Sequence, residues 1–188
     1  AALLMGDVGP ARVARLARAM GVRQSPLEEV PSLALGTSPV TLREMVSAYA
    51  TLANGGAYLE PQLVTRVEDK DGKLLEAFAP AEPEEALAPG PAYTLLDVMR
   101  GVVDRGTGSA IRRQFGLRAD LAGKTGTTQD NTDGWFILMH PQLVGGAWVG
   151  FNDNRITLRS DYWGQGAHSA LPIVGDAFHY ALRNRLVD

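Results

Sequence analysis

Residues 134–140 and 143–151 form two apolar runs that meet at His140-Pro141-Gln142. A run that is apolar at successive positions suits a strand covered on both faces. So short a connection makes the two strands antiparallel neighbours. A third strand, roughly 120–128, precedes them. These runs predict an antiparallel sheet that needs helices on both faces, which is an α+β architecture.

The remaining periodicity supplies those helices. Residues 10–20 carry Val13, Leu16, Ala17 and Met20 at helical spacing, with Arg12, Arg15 and Arg18 off the stripe as a solvated face. Pro10 suits the first turn and Gly21 can end the helix. Residues 41–53 read as a second helix. Thr41 and Glu44 have capping-box spacing, Leu42, Met45, Val46 and Tyr49 form its apolar stripe, and Asn54-Gly55-Gly56 supplies a left-handed stop. A β-hairpin is expected over 62–78, turning at Asp71-Gly72. Residues 79–91, rich in Ala, Pro and Glu, read as a linker or exposed loop. A helix from about Ala92 to Asp104 is expected to bury Leu95, Val98, Met99 and Val102, and a short one covers Ser109 to Gln114. Residues 152–168 are a polar loop. Leu171 to Leu186 closes the chain as a helix with Ile173, Val174, Ala177, Phe178 and Ala181 inward.

The chemistry is concentrated at Lys124-Thr125-Gly126-Thr127-Thr128, on the first of the three strands. The Lys124 ammonium can attract a carboxylate or join a proton relay. Hydroxyls at Thr125 and Thr127 can hydrogen-bond the same anion. Gly126 lets a ligand lie against the strand backbone. From these residues alone, the strand is an anion-binding edge beside a cleft. Thr128, Gln129 and Asp130 either line its far end or form an exposed turn. Trp135 is core or cleft wall, and Asp133 a cap or loop anchor. Thr107, between Gly106 and Gly108, either borders the cleft or makes a tight loop.

A Lys-Thr-Gly triplet on a strand is one of three elements of the penicillin-inhibited serine acyltransferases. Its neighbours here are Arg105-Gly106-Thr107-Gly108-Ser109-Ala110, Leu121-Ala122-Gly123, Asp133-Gly134-Trp135-Phe136 and Leu143 to Phe151. Further upstream stand Leu33 to Thr41 and Ala48 to Gly56. In this order and over nearly the whole chain, they resemble the transpeptidase domain of class A (bifunctional) penicillin-binding proteins. The resemblance implies the fold shared by penicillin-binding proteins and β-lactamases, an antiparallel sheet between helices with part of a helical subdomain. It also implies that Lys124 anchors the carboxylate of a peptidoglycan stem peptide or β-lactam and supports the proton relay. Thr125, Gly126, Thr127, Thr128 and Thr107 would contact substrate, and the Thr127 N–H would be one oxyanion-hole donor. No cofactor or metal is implied, and His140, His168 and His179 are too scattered for a ligand set.

The family's other two motifs, Ser-x-x-Lys and Ser-x-Asn, are absent. None of Ser25, Ser32, Ser38, Ser47, Ser109, Ser160 and Ser169 has Lys three residues on or Asn two residues on. Ser109 has Arg112 at the third position, and arginine is no proton acceptor. The chain starts at Ala1 without Met, and residues 1–10 resemble the family segment just after Ser-x-Asn. The expectation is that residues 1–188 are the C-terminal part of a single transpeptidase domain, inactive alone and lacking the first sheet strands. A protein that has lost catalysis is the alternative. With the first sheet strands absent, one sheet edge would be unpaired, inviting a missing companion segment or a homodimer. Two further readings stay open: a noncatalytic cell-wall peptide-binding module, and a β-lactamase-type hydrolase, from which Thr127 and the Gly-Thr-Ser and Asn-Gly-Gly segments point away. The implied setting is the outer face of the bacterial cytoplasmic membrane, with the parent anchored by a segment not present here.

Composition sets outer bounds. At 188 residues the chain is one domain by size, given about 100–200 residues per domain. A net charge of −3 with no basic run gives no footprint for nucleic acid. No cysteine is present, which removes disulfides and thiol chemistry.

Overall fold

The computed structural model of the chain describes residues 2–153 and 155–188. Helices α1 (Ala2–Val8) and α2 (Pro10–Ala19) open it, and a 3-10 turn at Pro31–Leu35 leads to α3 (Leu42–Ala53). Strands β1 (Ala57–Tyr58), β2 (Arg66–Glu68), β3 (Leu74–Ala77) and β4 (Glu84–Glu85) follow. Next come α4 (Pro89–Asp104) and the single turn α5 (Ala110–Arg113). The main sheet is β5 (Ala122–Thr127), β6 (Asp133–His140) and β7 (Leu143–Gly150), antiparallel in the order β5-β6-β7. Helix α6 (Ala170–Arg183) closes the described chain.

Alternation of side chains across the sheet divides the core in two. Phe136, Leu138 and Ala147 point to one face, where they pack with Leu171, Val174 and Phe178 of α6, Ile111 of α5 and Val103 of α4. Met139 and Ala122 point to the other, against Leu52 of α3 and Met99 of α4. Gly145 and Gly146 allow both helices to approach β7. A Cβ at Gly145 would lie 2.8 Å from the Phe178 ring, and one at Gly146 would lie 2.7 Å from Val46 Cγ2.

The three strands and the helices lie where periodicity places them. Thr41 and Glu44 form both halves of the capping box. The buried faces differ from the expected stripes. On α3 the buried residues are Glu44, Ser47, Ala48, Thr51 and Leu52, whereas Leu42 is exposed and Met45, Val46 and Tyr49 are half-buried. Glu44 and Thr51 can be buried because they are bonded, whereas Ser47 Oγ is buried without a partner among the described residues. Thr51 Oγ1 donates to the Met20 carbonyl, and Glu44 accepts from Gln24 and Ser25. On α2, Ala14 is buried and Leu16 exposed. On α4, Ala92, Met99 and Val103 are buried, while Leu95 and Val98 face outward. On α6, Ile173 and Ala177 are exposed.

Two local expectations also change. The β2–β3 turn spans 69–73 rather than two residues, because the Asp69 carboxylate accepts from the Asp71 and Lys73 amides at 2.9 and 3.0 Å. The Ala/Pro/Glu stretch is not all loop, since β4 pairs with β1 and α4 begins within it.

Strand β7 is a sheet edge of a particular kind. Leu143–Gly150 holds no charge and no proline, and its register with β6 is unbroken. Edge strands usually carry at least one such device against pairing.

Candidate functional site

Strand β5 forms the opposite edge of the sheet, and α4 fixes its start. Arg100 donates to both carboxylate oxygens of Asp120, at 2.7 and 2.8 Å, two residues before the strand. The guanidinium holds the Asp120 carboxyl below the usual carboxylate range. Beyond α4, the chain folds back on itself through Gly106 and Gly108. The Gly108 amide bonds the Val102 carbonyl at 3.0 Å, and a Cβ at Gly106 would lie 2.9 Å from Val102 Cα. This return sets the Thr107 hydroxyl 2.6 Å from that of Thr125. The structure therefore brings Thr107 to the lysine strand, while Thr125 is buried with its hydroxyl engaged.

Register places Lys124, Ile137 and Gly146 in one row across the sheet, and Gly126, Trp135 and Trp148 in the next row on the same face. Helix α3 covers the first row through Val46 and Leu42. The second row is only half-buried, and the Trp135 and Trp148 rings meet at 6.4 Å. Trp135 is thus half-buried on the sheet surface rather than deep core. Lys124 is exposed, and its Nζ donates to the Thr125 carbonyl at 2.5 Å. Among the described residues no carboxylate pairs with it.

Backbone polarity along this edge follows from one bond. The Thr128 amide donates to the Asp133 carbonyl at 3.1 Å, toward β6. Antiparallel pairing alternates inward and outward groups. The N–H and C=O of Thr125 and Thr127 therefore face the unpaired edge, which agrees with the Lys124 ammonium reaching the Thr125 carbonyl. The result is a strand edge with two outward amides and an ammonium beside them. Such an edge can hold an extended peptide and its terminal carboxylate.

The strand exit is clamped. The Asp133 carboxylate accepts from Trp148 Nε1 at 2.7 Å, Thr132 Oγ1 at 3.0 Å and Thr128 Oγ1 at 3.2 Å. Asp133 and Thr128 thus hold the turn rather than lie free. Asp130 and Asn131 both take left-handed conformations, at φ 60° and 57°, which non-glycine residues rarely adopt.

Sequence reasoning missed the loop that packs on this exit. The Gly166 amide donates to Thr127 Oγ1 at 3.1 Å, the Leu158 amide to the Asn131 carbonyl at 3.1 Å, and Asn131 Nδ2 to the Asp161 carboxylate at 3.3 Å. The one local signal was the pair Gly164 and Gly166 in an otherwise polar stretch. His168 stacks on Tyr162 in the same loop, His179 Nδ1 on α6 bonds the Phe115 carbonyl after α5, and His140 is buried at the end of β6. Among the described residues no three His, Asp or Glu side chains gather as a ligand set.

A sequence model of the family described as penicillin binding protein transpeptidase domain matches residues 21–149. Penicillin-binding protein 1A of Neisseria gonorrhoeae is 32% identical over 186 residues, covering 97% of this chain and 23% of that protein. Penicillin-binding protein 2D of Bacillus subtilis is 37% identical over 152 residues, covering 78% of this chain and 21% of that protein. The chain therefore spans less than a quarter of the length of these relatives. Among solved structures, penicillin-binding protein 1A from Haemophilus influenzae superposes with a TM-score of 0.86 at 22% identity, covering 96% of this chain and 32% of that one. PonA1 from Mycobacterium tuberculosis in complex with penicillin V gives 0.76 at 25% identity, with coverages of 98% and 52%.

Proposed function

The chain belongs to the penicillin-binding protein transpeptidase family, and on that premise we propose that the open edge of β5 is the substrate edge of a serine-type D,D-transpeptidase. The observation that carries this reading is the pairing of an exposed Lys124 with the outward amides of Thr125 and Thr127.

In the reaction, a serine hydroxyl adds to the penultimate D-Ala carbonyl of a stem peptide. The C–N bond breaks, the terminal D-Ala amine takes up a proton, and an acyl-enzyme remains. The amine of a second stem then adds to the acyl group and the serine leaves, which crosslinks peptidoglycan. Lys124 attracts the terminal carboxylate and supports the proton relay. Thr125, held by Thr107, sets the strand edge beneath it, and Gly126 keeps the backbone accessible. The Thr127 amide is one of two donors to the developing oxyanion, and such a donor contributes about 3 kcal/mol to the transition state. Thr128 fixes the strand exit. With the carboxylate at Lys124 and the reacting carbonyl at Thr127, the peptide runs antiparallel to β5.

No serine of this sequence stands in a Ser-x-x-Lys motif. The nucleophile, its lysine base and the second oxyanion donor therefore come from outside these 188 residues, and this chain alone does not acylate. The uncharged β7 edge pairs with a strand from the same missing part or with a second copy. The parent works on the outer face of the bacterial cytoplasmic membrane, held there by a segment outside this sequence. Among the described residues no helix is long and apolar enough to cross a membrane.

Intact-mass spectrometry of the chain after incubation with a labelled penicillin is expected to show no covalent adduct. An adduct mapping to any serine within 1–188 would overturn this division of labour. Noncovalent binding tests the edge itself. Acetyl-Lys-D-Ala-D-Ala is expected to perturb the amide resonances of Thr125 to Thr127. Lys124→Ala should weaken that affinity by about five- to tenfold at low salt, since a charge-assisted bond at an exposed site is partly screened. Equal affinity in the variant removes Lys124 from the carboxylate site. Affinity that persists when the upstream part is restored, without acylation, would favour the noncatalytic binding module.

A further inference from the structure

The Asp133 carboxylate joins the two outer strands of the sheet. It opens β6, where the register sets Gly150 of β7 opposite it and pairs the next residue, Gly134, with Thr127 of β5. Alternation puts Gly126, Asp133, Trp135 and Trp148 on one face. From that face Asp133 Oδ1 accepts from the Trp148 indole N–H at 2.7 Å. Its Oδ2 lies 3.0 Å from the Thr132 hydroxyl and 3.2 Å from that of Thr128, and these two hydroxyls are 2.6 Å apart. The indole is also packed against the turn it bonds. A Cβ at Gly150 would lie 2.7 Å from both Trp148 Cζ2 and the Thr132 carbonyl oxygen.

This clamp is one of three anchors around the Thr127 amide. The Asp133 N–H donates to Thr128 Oγ1 at 2.8 Å, so Thr128 is pinned on the tryptophan face. Thr127 lies on the opposite face, in line with Thr125 and Phe136, and there its Oγ1 accepts from the Gly166 N–H at 3.1 Å. Along the ladder, the Thr128 N–H donates to the Asp133 carbonyl at 3.1 Å. The end of β5 is thus held on both faces and in the plane, which prevents it from rolling about its own axis. Roll matters because an outward N–H swings with it, and a hydrogen bond weakens steeply as its angle falls toward about 120°. The turn beyond Thr128 also strains against the clamp. Asp130 and Asn131 stand at φ 60° and 57°, a conformation that non-glycine residues keep only where their surroundings impose it.

We propose that Asp133 and Trp148 are positioning residues that aim the Thr127 amide at the developing oxyanion, so that a donor on one edge of the sheet is set from the strand at the other edge. The proposal rests on the substrate-edge reading of β5. Trp148 stands two strands from Thr127, about 10 Å away, and acts only through Asp133 and Thr128. The terminal carboxylate is held at Lys124, three residues before Thr127. The clamp therefore bears on the transition state and leaves ground-state binding alone.

The test is turnover of a thioester analogue of the stem peptide by the parent protein, with kcat and KM measured separately. Asp133→Ala should lower kcat about tenfold at unchanged KM, a part of what loss of an oxyanion donor costs. Trp148→Phe keeps an aromatic ring, removes one hydrogen bond, and should lower kcat about threefold. Asp133→Asn should restore most of the rate, because its amide oxygen still accepts from the indole. In the 188-residue chain, Trp148→Phe should move the Thr127 amide resonance and leave that of Ala122, at the other end of β5, in place. Melting temperatures show that each variant is folded, and Trp148→Phe carries the test if Asp133→Ala is not. Wild-type kcat in the folded variants, a raised KM at constant kcat, or an unmoved Thr127 amide would overturn the positioning role and leave the β5 edge standing. A wild-type parent that does not turn over the thioester would overturn the edge reading and the positioning role with it.

Discussion

Glu44→Ala is expected to remove about 3 kcal/mol or more of unfolding free energy at neutral pH, which lowers the melting temperature by roughly 6–12 °C for a chain of this size. Glu44 is 6% exposed and its carboxylate is saturated with donors. Oε1 accepts from the Gln24 and Ser25 amides at 2.6 and 2.9 Å. Oε2 accepts from the Ser25 hydroxyl and from Thr41 Oγ1 at 2.8 Å, with the Thr41 amide at 3.3 Å. The side chain thus caps α3 and ties down the chain that leaves α2. Truncation strands several donors at once, and each unsatisfied buried group costs about 1–3 kcal/mol.

The same carboxylate predicts an acid-labile step. Burial pushes its pKa up, but the hydroxyl and amide bonds of Ser25, the Gln24 amide and the Thr41 hydroxyl outweigh it and hold the group at about 2 against 4.5 unperturbed. The unfolded state therefore takes up the proton first. The stabilisation, on the order of 3 kcal/mol, is complete above 4.5 and is lost as pH falls toward 2. Urea unfolding at pH 7 and pH 3 checks this, with Glu44→Gln as the variant that cannot titrate. Wild type should lose more stability than Glu44→Gln over that interval. Parallel losses would mean that other carboxylates carry the acid sensitivity.

Glu44 also shows where sequence reasoning stops. The Thr41–Glu44 spacing revealed the cap, because a capping box is local. That the same face of α3 is the buried one depends on Gln24 and Ser25, 20 and 19 positions upstream of Glu44, which periodicity does not encode. Leu95 and Val98 on α4, and Ile173 and Ala177 on α6, sit at good helical spacing and are exposed. Spacing marks apolar positions, whereas burial needs a neighbour that arrives from elsewhere in the chain. The candidate strand was legible because Lys124 to Thr127 is contiguous and its neighbours β6 and β7 are strongly apolar. Its supports were legible only in part. Thr107 stood out between two glycines, but its bond to Thr125 is a tertiary fact. The loop contacts Gly166–Thr127 and Asn131–Asp161 join positions 39 and 30 residues apart, in a segment with no period to read.

Gly166→Ala is expected to be the most damaging small substitution in that segment, costing about 3 kcal/mol or more. A Cβ there would lie 2.3 Å from the carbonyl oxygens of both Gly126 and Trp135, and 2.7 Å from the Trp135 nitrogen. These are backbone atoms of paired strands, since Gly126 and Trp135 face each other in the β5–β6 ladder. No rotamer relieves the clash. Either the ladder opens at the lysine strand or the loop lifts away. Lifting breaks the Gly166 bond to Thr127 and the bond from the Leu171 amide to the Gly166 carbonyl at 2.9 Å, which helps start α6. Both routes move Thr127, so stability and peptide binding should fall together. Gly90→Ala is the matched control. It lies in the first turn of α4 with open space where its Cβ would sit, so it should be neutral or slightly stabilising. Thermal unfolding of both variants, with the amide spectrum of Gly126 and Thr127, measures the two effects at once. A Gly166→Ala protein within about 0.5 kcal/mol of wild type, with those amides unmoved, would mean that the loop does not rest on the strand as described. The lysine-bearing edge would then lose its support from the loop that leads into α6.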